Sequence, residues 1–241
     1  MKNIVTIDIG NTYTKFYLWN TKKDKQTGNL KLLTKDLSSN LEKIKKFVKD
    51  NFTIIASVVE ESYDLLSDSI NLDHRVSTKD FKKESTVNLP PDIGDDILAM
   101  FYLEKSNEPK FVIMGGTIWA CIFIYENQIR GANFLPGINW QINQIINGAY
   151  AIKSFEKTKY NFLGLTTNES ILDGVLNSHI GYIEYTHRQL KQHYNNLDFI
   201  ISSNEALKFS KNMPSFLTWK TEIVSEGLYK LAKDINISNK I

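Results

Sequence analysis

The sequence predicts an α/β fold built as two similar halves, and three observations lead there. Short β-branched apolar runs alternate with segments of helical periodicity, the pattern of strands covered by helices. A strand, a Gly-containing turn ending in Thr and a returning strand occur twice, at "IVTIDIGNTYTKFYLW" and at "FVIMGGTIWACIFIY". A breaker cluster, "NLPPDIGDD", lies between the two copies. The 241 residues suffice for two such halves around a crevice, and the boundary falls near residues 90–110, giving lobes of 1–105 and 106–241.

In the first half, residues 3–9 are largely β-branched and apolar, and the turn at Gly10 and Asn11 returns the chain as a strand over Lys15–Trp19. A polar loop over Lys22–Asn29 precedes "LKLLTKDL", a third strand. In "LEKIKKFVKD", Leu41, Ile44, Phe47 and Val48 fall at helical spacing, so the basic run there is the solvated face of a helix. "FTIIASVV" is a strand buried on both faces, and "ESYDLLSDSI" is a helix. Pro90 and Pro91 set up a helix at "DDILAMFYLEK", with Asp95 and Asp96 where a helix N-terminus favours negative charge.

In the second half, residues 111–134 read as three strands joined by the Gly-Gly-Thr and "ENQ" turns. A helix follows Pro136 and Gly137. Thr166 and Glu169 have capping-box spacing ahead of a long helix whose buried stripe is Ile171, Leu172, Val175, Leu176, Ile180 and Ile183. "LDFIISS" is a buried strand, and "TEIVSEGLYKLAKDI" closes the chain as a helix.

Composition narrows the functional classes. Hydrophobic residues make up 42% and charged residues 23%, and 29 basic against 27 acidic residues leave a net charge of +2. A dedicated nucleic-acid surface would need a stronger basic excess. No apolar run approaches the ~20 residues of a membrane span, and no signal peptide is visible, so a cytoplasmic location is expected. The single cysteine, Cys121, lies in an apolar strand and reads as a buried hydrophobe. The four histidines have no metal-ligand spacing, and "HRQLKQH" over 187–193 reads as a solvated helix end. Trp119 and Trp140 read as packing residues rather than base-stacking ones.

The first turn can do chemistry. At a strand end, Gly10 admits close approach of a ligand, and the following N–H groups with Asn11 and Thr12 form a concavity suited to phosphate. Asp8 stands where a carboxylate holds Mg²⁺, directly or through water, and Lys15 adds positive charge. A plain hairpin with an Asx-type turn would use the same residues. The second turn, Gly115, Gly116 and Thr117, and the Gly-Asp-Asp helix start tip the balance towards phosphate.

"DIGNT", "PPDIGDD", "GGT", "FLPG", "GLTTNESILDG" and "SEGL" occur in the order found in type III pantothenate kinases, and this ordered set makes the chain resemble that family over nearly its whole length. The resemblance implies two ribonuclease-H-like, actin-like lobes with a nucleotide cleft between them. It implies transfer of the γ-phosphate of ATP to pantothenate, the first step of coenzyme A synthesis. The cofactors it implies are Mg²⁺ and a monovalent cation, K⁺ or NH4⁺. The family is usually dimeric. Asp8, Gly10, Asn11 and Thr12 match the first phosphate motif. Gly94 and Asp96 match a Gly-x-Asp-Arg element whose Asp is the general base, with Gly94, Asp95 and Thr166 at the acceptor.

Three positions depart from the pattern. Ile97 replaces the Arg expected to clamp the pantothenate carboxylate, a loss worth about 1.5–3 kcal/mol. Met114 replaces the acid of the second turn, and Ser202–Asn204 replaces a Thr-Gly-Gly turn near the nucleotide. The departures leave three roles open: a kinase acting alone, a subunit that pairs with a more complete paralogue in a heterodimer, or a regulatory protein.

Overall fold

Ile4, Val5, Ile7 and Ile9 are all 0–1% exposed, so the first strand is buried on both faces. The computed structural model describes residues 3–81, 89, 92–152 and 154–238, with side chains to residue 235. Pro90 and Pro91 lie outside the described residues.

The first unit comprises Met1–Lys105, Asn127–Ile129 and Glu222–Ile241. Its strands are β1 (Ile4–Ile9), β2 (Tyr13–Asn20), β3 (Lys25–Leu33), β4 (Phe52–Ser57) and the short β5 (His74–Arg75), ordered β3-β2-β1-β4-β5. β1 is antiparallel to β2 and parallel to β4, and β4 is parallel to β5. Period-two alternation sorts the side chains. Val5, Ile7, Ile9, Phe16 and Ile55 pack with Ile44 and Val48 of α1 (Leu41–Val48) and Leu66 of α2 (Glu60–Ser69). On the other face, Ile4, Trp19, Ile54, Ala56 and Val76 pack with Leu98, Ala99 and Tyr102 of α3 (Asp95–Glu104). That face also takes Leu228, Leu231 and Ala232 of the closing helix, Ile223–Ser238. The sequence division at residue 105 grouped this helix with the second half, whereas its contacts lie in the first unit.

The second unit comprises Ser106–Glu126 and Arg130–Thr221. Its sheet contains β6 (Lys110–Gly115), β7 (Ile118–Tyr125), β8 (Gln128–Pro136), β9 (Asp198–Ser203) and β10 (Leu217–Trp219), ordered β8-β7-β6-β9-β10. This is the strand order of the first sheet, so the internal repeat read from the two turns extends to the whole topology. Ile138 and Ile142 of α4 (Ile138–Gly148) cover the sheet together with the stripe of α5 (Thr167–Lys191), in which Ile180 is only partly buried. A short helix, α6 (Asn204–Leu207), follows β9, and the closing helix is α7.

Two local expectations are corrected. Residues 25–29, read as loop, belong to β3, which pairs along β2 with a register shift at Leu18/Trp19. β3 is an outer strand with much of its length exposed, so it lacks the apolar alternation by which strands are recognised. His187, read as part of a solvated helix end, is stacked on Phe216 with ring centroids 3.9 Å apart, and it meets Phe199 edge-on.

Candidate active site

The alternation that buries β1 also delivers its carboxylate. Residues 4, 6 and 8 point to the face covered by α3 and α7. Thr6 is fully buried there, with its hydroxyl 2.6 Å from Ser225 Oγ and accepting from Trp19 Nε1 at 3.1 Å. Asp8 comes next, at the C-terminal end of the strand, where the covering helices begin. Glu222 immediately precedes α7, and Asp95 and Asp96 open α3. Lys15, the cross-strand partner of Asp8, places Nζ 3.8 Å from Asp8 Oδ2 and 3.6 Å from Glu222 Oε2.

Two carboxylates beside one ammonium, with Asp96 acting on Asp8, shape the electrostatics. Burial pushes the Asp8 carboxyl up to about 6; Lys15 pulls it down, and the Asp96 and Glu222 charges push it up. Burial also raises Asp96, opposed by the Ile97 N–H, which donates to its Oδ1 at 2.8 Å. The Tyr17 phenol is pushed far above its ordinary value by burial, then by its hydrogen bond to Glu222. Asp95 is engaged elsewhere: its Oδ2 accepts from the Ser57 N–H at 3.2 Å and from Arg75 Nε at 2.8 Å.

The first turn is braced. Gly10 N–H donates to the Tyr13 carbonyl at 3.0 Å. The Thr34 hydroxyl donates to the Gly10 carbonyl at 2.6 Å, and the Thr34 N–H donates to the Thr12 carbonyl at 3.0 Å. Asn11 and Thr12 are exposed at its tip. Gly10 does not take a left-handed conformation.

In the second unit, the turn of Gly115, Gly116 and Thr117 has the corresponding contact, Gly116 N–H to the Ile118 carbonyl at 3.2 Å. Gly137 N–H donates to the Thr117 carbonyl at 2.8 Å, and any Cβ at Gly137 would overlap the Gly116 backbone. That close approach explains why "PG" follows the repeat. Where the first sheet pairs Asp8 with Lys15, the second pairs Met114 with Ala120. Both charges of the first pair are thus replaced by apolar groups. Ser203, in the segment that departs from Thr-Gly-Gly, caps α6 by accepting from the Ala206 N–H at 3.2 Å. Ser202 donates to the Thr221 carbonyl at 2.9 Å.

Thr166 caps α5 as its spacing predicts. Its hydroxyl accepts from the Glu169 N–H at 3.3 Å, while Glu169 accepts from the Leu165 and Thr166 N–H groups. It also lines a cavity of about 570 Å³ between α4 and α5, with Gln141, Ile145, Ser170 and Gly174. Trp119 is fully buried against the edge of His179, whereas Trp140 is substantially exposed. Cys121 is buried, and its thiol is pushed up to about 12 by that burial. No group of three His, Cys, Asp or Glu among the described residues could hold a metal by itself.

Sequence reasoning therefore missed Glu222, Tyr17, Thr34 and Arg75. Glu222 carries a weak local signal, an acid at a helix start. The other three are marked only by whom they touch.

Known proteins agree with this architecture. The sequence model for "Type III pantothenate kinase" matches residues 4–189. A type III pantothenate kinase from Malacoplasma penetrans is 26% identical over 237 residues, covering 90% of this chain and 92% of that protein. A solved structure described as a Baf family transcriptional activator, from Campylobacter jejuni, superposes with a TM-score of 0.66 at 16% identity, covering 96% of this chain and 98% of that one. Another, described as a 2-dehydro-3-deoxygalactonokinase from Sinorhizobium meliloti, has a TM-score of 0.60 at 10% identity, covering 96% of both. With two five-stranded sheets of one strand order and a family match over most of its length, the chain is a phosphotransferase of actin-like fold and belongs to the type III pantothenate kinase family.

Proposed function

We propose that this chain transfers the γ-phosphate of ATP to the hydroxyl of pantothenate, the first step of coenzyme A synthesis. The observation that carries the reading is the convergence of Asp8, Lys15 and Asp96 beside the first Gly-Asn-Thr turn, in a chain of this family. In this reading Gly10 shapes the turn, its exposed tip at Asn11 and Thr12 donates hydrogen bonds to phosphate oxygens, and Lys15 adds charge. Asp96 takes the hydroxyl proton as the new oxygen–phosphorus bond forms and the bond to the ADP oxygen breaks, so ADP departs with that electron pair. Its raised pKa makes it a better base. Gly94 lies at the acceptor in the same reading.

Asp8, with Asp96 and Glu222 nearby, offers the hard oxygen donors that Mg²⁺ takes, and one or two carboxylates suffice when substrate phosphates complete the shell. Bound there, the ion would neutralise phosphate charge. A monovalent cation and a homodimer rest on the family resemblance. The dimer has further support in the exposed Trp140, Tyr150, Phe162, Leu163 and Leu165 of the second unit.

The Met114–Ala120 pair favours a second reading, a subunit that works with a more complete paralogue. The test is pantothenate-dependent ADP release with Mg²⁺ and K⁺ or NH4⁺, for the chain alone and mixed with a second family member from the same genome. Activity of the chain alone, lost in Asp96→Asn, supports the first reading. Activity only in the mixture supports the second, and neither activity nor ATP binding sinks both.

A further inference from the structure

The cross-strand row that starts at Asp8 continues past Lys15. Asp8 pairs with Lys15 across β1 and β2, and Lys15 pairs with Lys31 across β2 and β3, so the three side chains leave the same face of the sheet. The opposite face is the one packed on α1 and α2, to which Leu30 and Leu32 turn on either side of Lys31. One strand spacing separates each pair, which sets the Asp8 and Lys31 backbones roughly 10 Å apart. Like charges directly opposite one another on a sheet are destabilising. Lys15 is offset by Asp8 and Glu222, but Lys31 has no carboxylate partner among the described residues.

The Lys31 ammonium nevertheless has a fixed place. Its Nζ lies 3.9 Å from the centroid of the Tyr13 ring, a cation–π contact. Tyr13 pairs with Leu33, so its ring is the diagonal neighbour of Lys31, and the ammonium leans along β3 towards the Gly-Asn-Thr turn. Tyr13 directly follows Thr12 at the exposed tip, and it is itself 43% exposed. The end of β3 is fastened to the same turn, because the Thr34 N–H and hydroxyl donate to the Thr12 and Gly10 carbonyls. Turn and ammonium thus share one braced corner of the first unit. A lysine on an outer strand also blunts edge pairing, but that role requires neither an opposed Lys15 nor the lean over Tyr13. The aromatic face holds the charge without a carboxylate on the ammonium, which leaves N–H donors for an incoming anion.

We infer that Lys31 is a second phosphate-binding residue for the nucleotide, donating to a phosphate oxygen beside the Asn11–Thr12 tip. Tyr13 is the positioning residue that holds the ammonium there. The triphosphate brings several negative charges, and much of the Lys15 charge is already offset by two carboxylates. The inference rests on the ATP-dependent reading above and adds a residue to its phosphate site.

The test is calorimetric titration of the full chain with ATP and with adenosine, which lacks the phosphates, in the presence of Mg²⁺ and without pantothenate. The wild type is compared with Lys31→Met, Lys31→Arg, Tyr13→Leu and Tyr13→Phe. Lys31→Met is expected to weaken ATP by roughly three- to thirtyfold and to leave adenosine within about twofold. Lys31→Arg keeps the charge and retains most of the ATP affinity. Tyr13→Leu removes the ring and lowers ATP affinity by a smaller factor, and Tyr13→Phe restores it, a rescue that a merely structural tyrosine would not single out for ATP. Unchanged ATP affinity in Lys31→Met, or an equal fall for ATP and adenosine, overturns the inference. Tyr13→Leu with full ATP affinity overturns the role given to Tyr13. ATP binding that depends on Lys31, without pantothenate-dependent ADP release by the chain alone or in the mixture, sustains the inference and sinks the kinase reading. A wild type that does not bind ATP overturns both.

Discussion

The Lys15 ammonium lies 3.8 Å from Asp8 Oδ2, directly across the β1–β2 hairpin. At the corresponding place in the second sheet, Met114 faces Ala120. The two turns share a backbone design but only one carries charge, so the electrostatic features of the first unit are local to it.

Replacing Asp8 tests the burial of its charge. Its pKa is raised from 3.8 to about 6, so the native state binds this proton more tightly than the unfolded chain does. The stability it contributes is complete below about pH 4 and is lost as the pH rises through 6. Asp8→Asn has no charge to bury, and we expect it to be about 1–3 kcal/mol more stable than the wild type at pH 7.5, converging with it near pH 4. Urea unfolding at both values measures this. A less stable variant at pH 7.5 would mean that the Lys15 contact outweighs desolvation.

The Lys15–Glu222 pair is long at 3.6 Å and partly exposed, so its direct energy is small. A double-mutant cycle of Lys15→Met and Glu222→Gln, read by denaturant midpoints, should give a coupling under about 1 kcal/mol. A coupling well above this would make the pair a structural element rather than an adjustable charge.

Gly227 and Gly181 should respond oppositely to alanine. A Cβ at Gly227 would overlap the Ala99 carbonyl, where α7 crosses α3. Gly227→Ala is expected to destabilise by about 1–3 kcal/mol as the helices are forced apart. Gly181 lies in α5 with nothing near its missing Cβ, so Gly181→Ala should stabilise by about 0.5–1 kcal/mol. Thermal unfolding of both variants separates close packing from helix propensity.

Thr166 is predicted to contribute through its cap. Thr166→Ala removes the acceptor of the Glu169 N–H and should cost about 1 kcal/mol in thermal or denaturant unfolding. Thr166→Ser, which keeps the oxygen, should retain most of it. If serine is as costly as alanine, the methyl group rather than the cap is what matters.

Much of the architecture was legible from local pattern. β1, β4 and β9 announced themselves as apolar runs, α5 through its capping box and stripe, and the repeat through its two turns. β3 escaped because an outer strand exposes much of its length and needs no alternation. Within the candidate site, Asp8 and Asp96 were marked by strand-end and helix-start motifs. Glu222 was not singled out, since it meets Lys15 only after α7 packs beside β1. Asp95 looked like an acceptor ligand, yet its carboxylate is taken by Ser57 and Arg75, which lie 38 and 20 residues away in sequence.

By itself the sequence determined the paired α/β halves, the two Gly-containing turns, the loss of the second acid at Met114 and the family. Each is written in short-range periodicity, turn chemistry or motif order, which act over a few residues. Tertiary structure alone decided which charges meet. The closing helix joins the first sheet and brings Glu222 to Lys15, and β5 ends where Arg75 reaches Asp95. Those pairings depend on which apolar stripes bury together, and burial is settled by the whole unit rather than by neighbours along the chain.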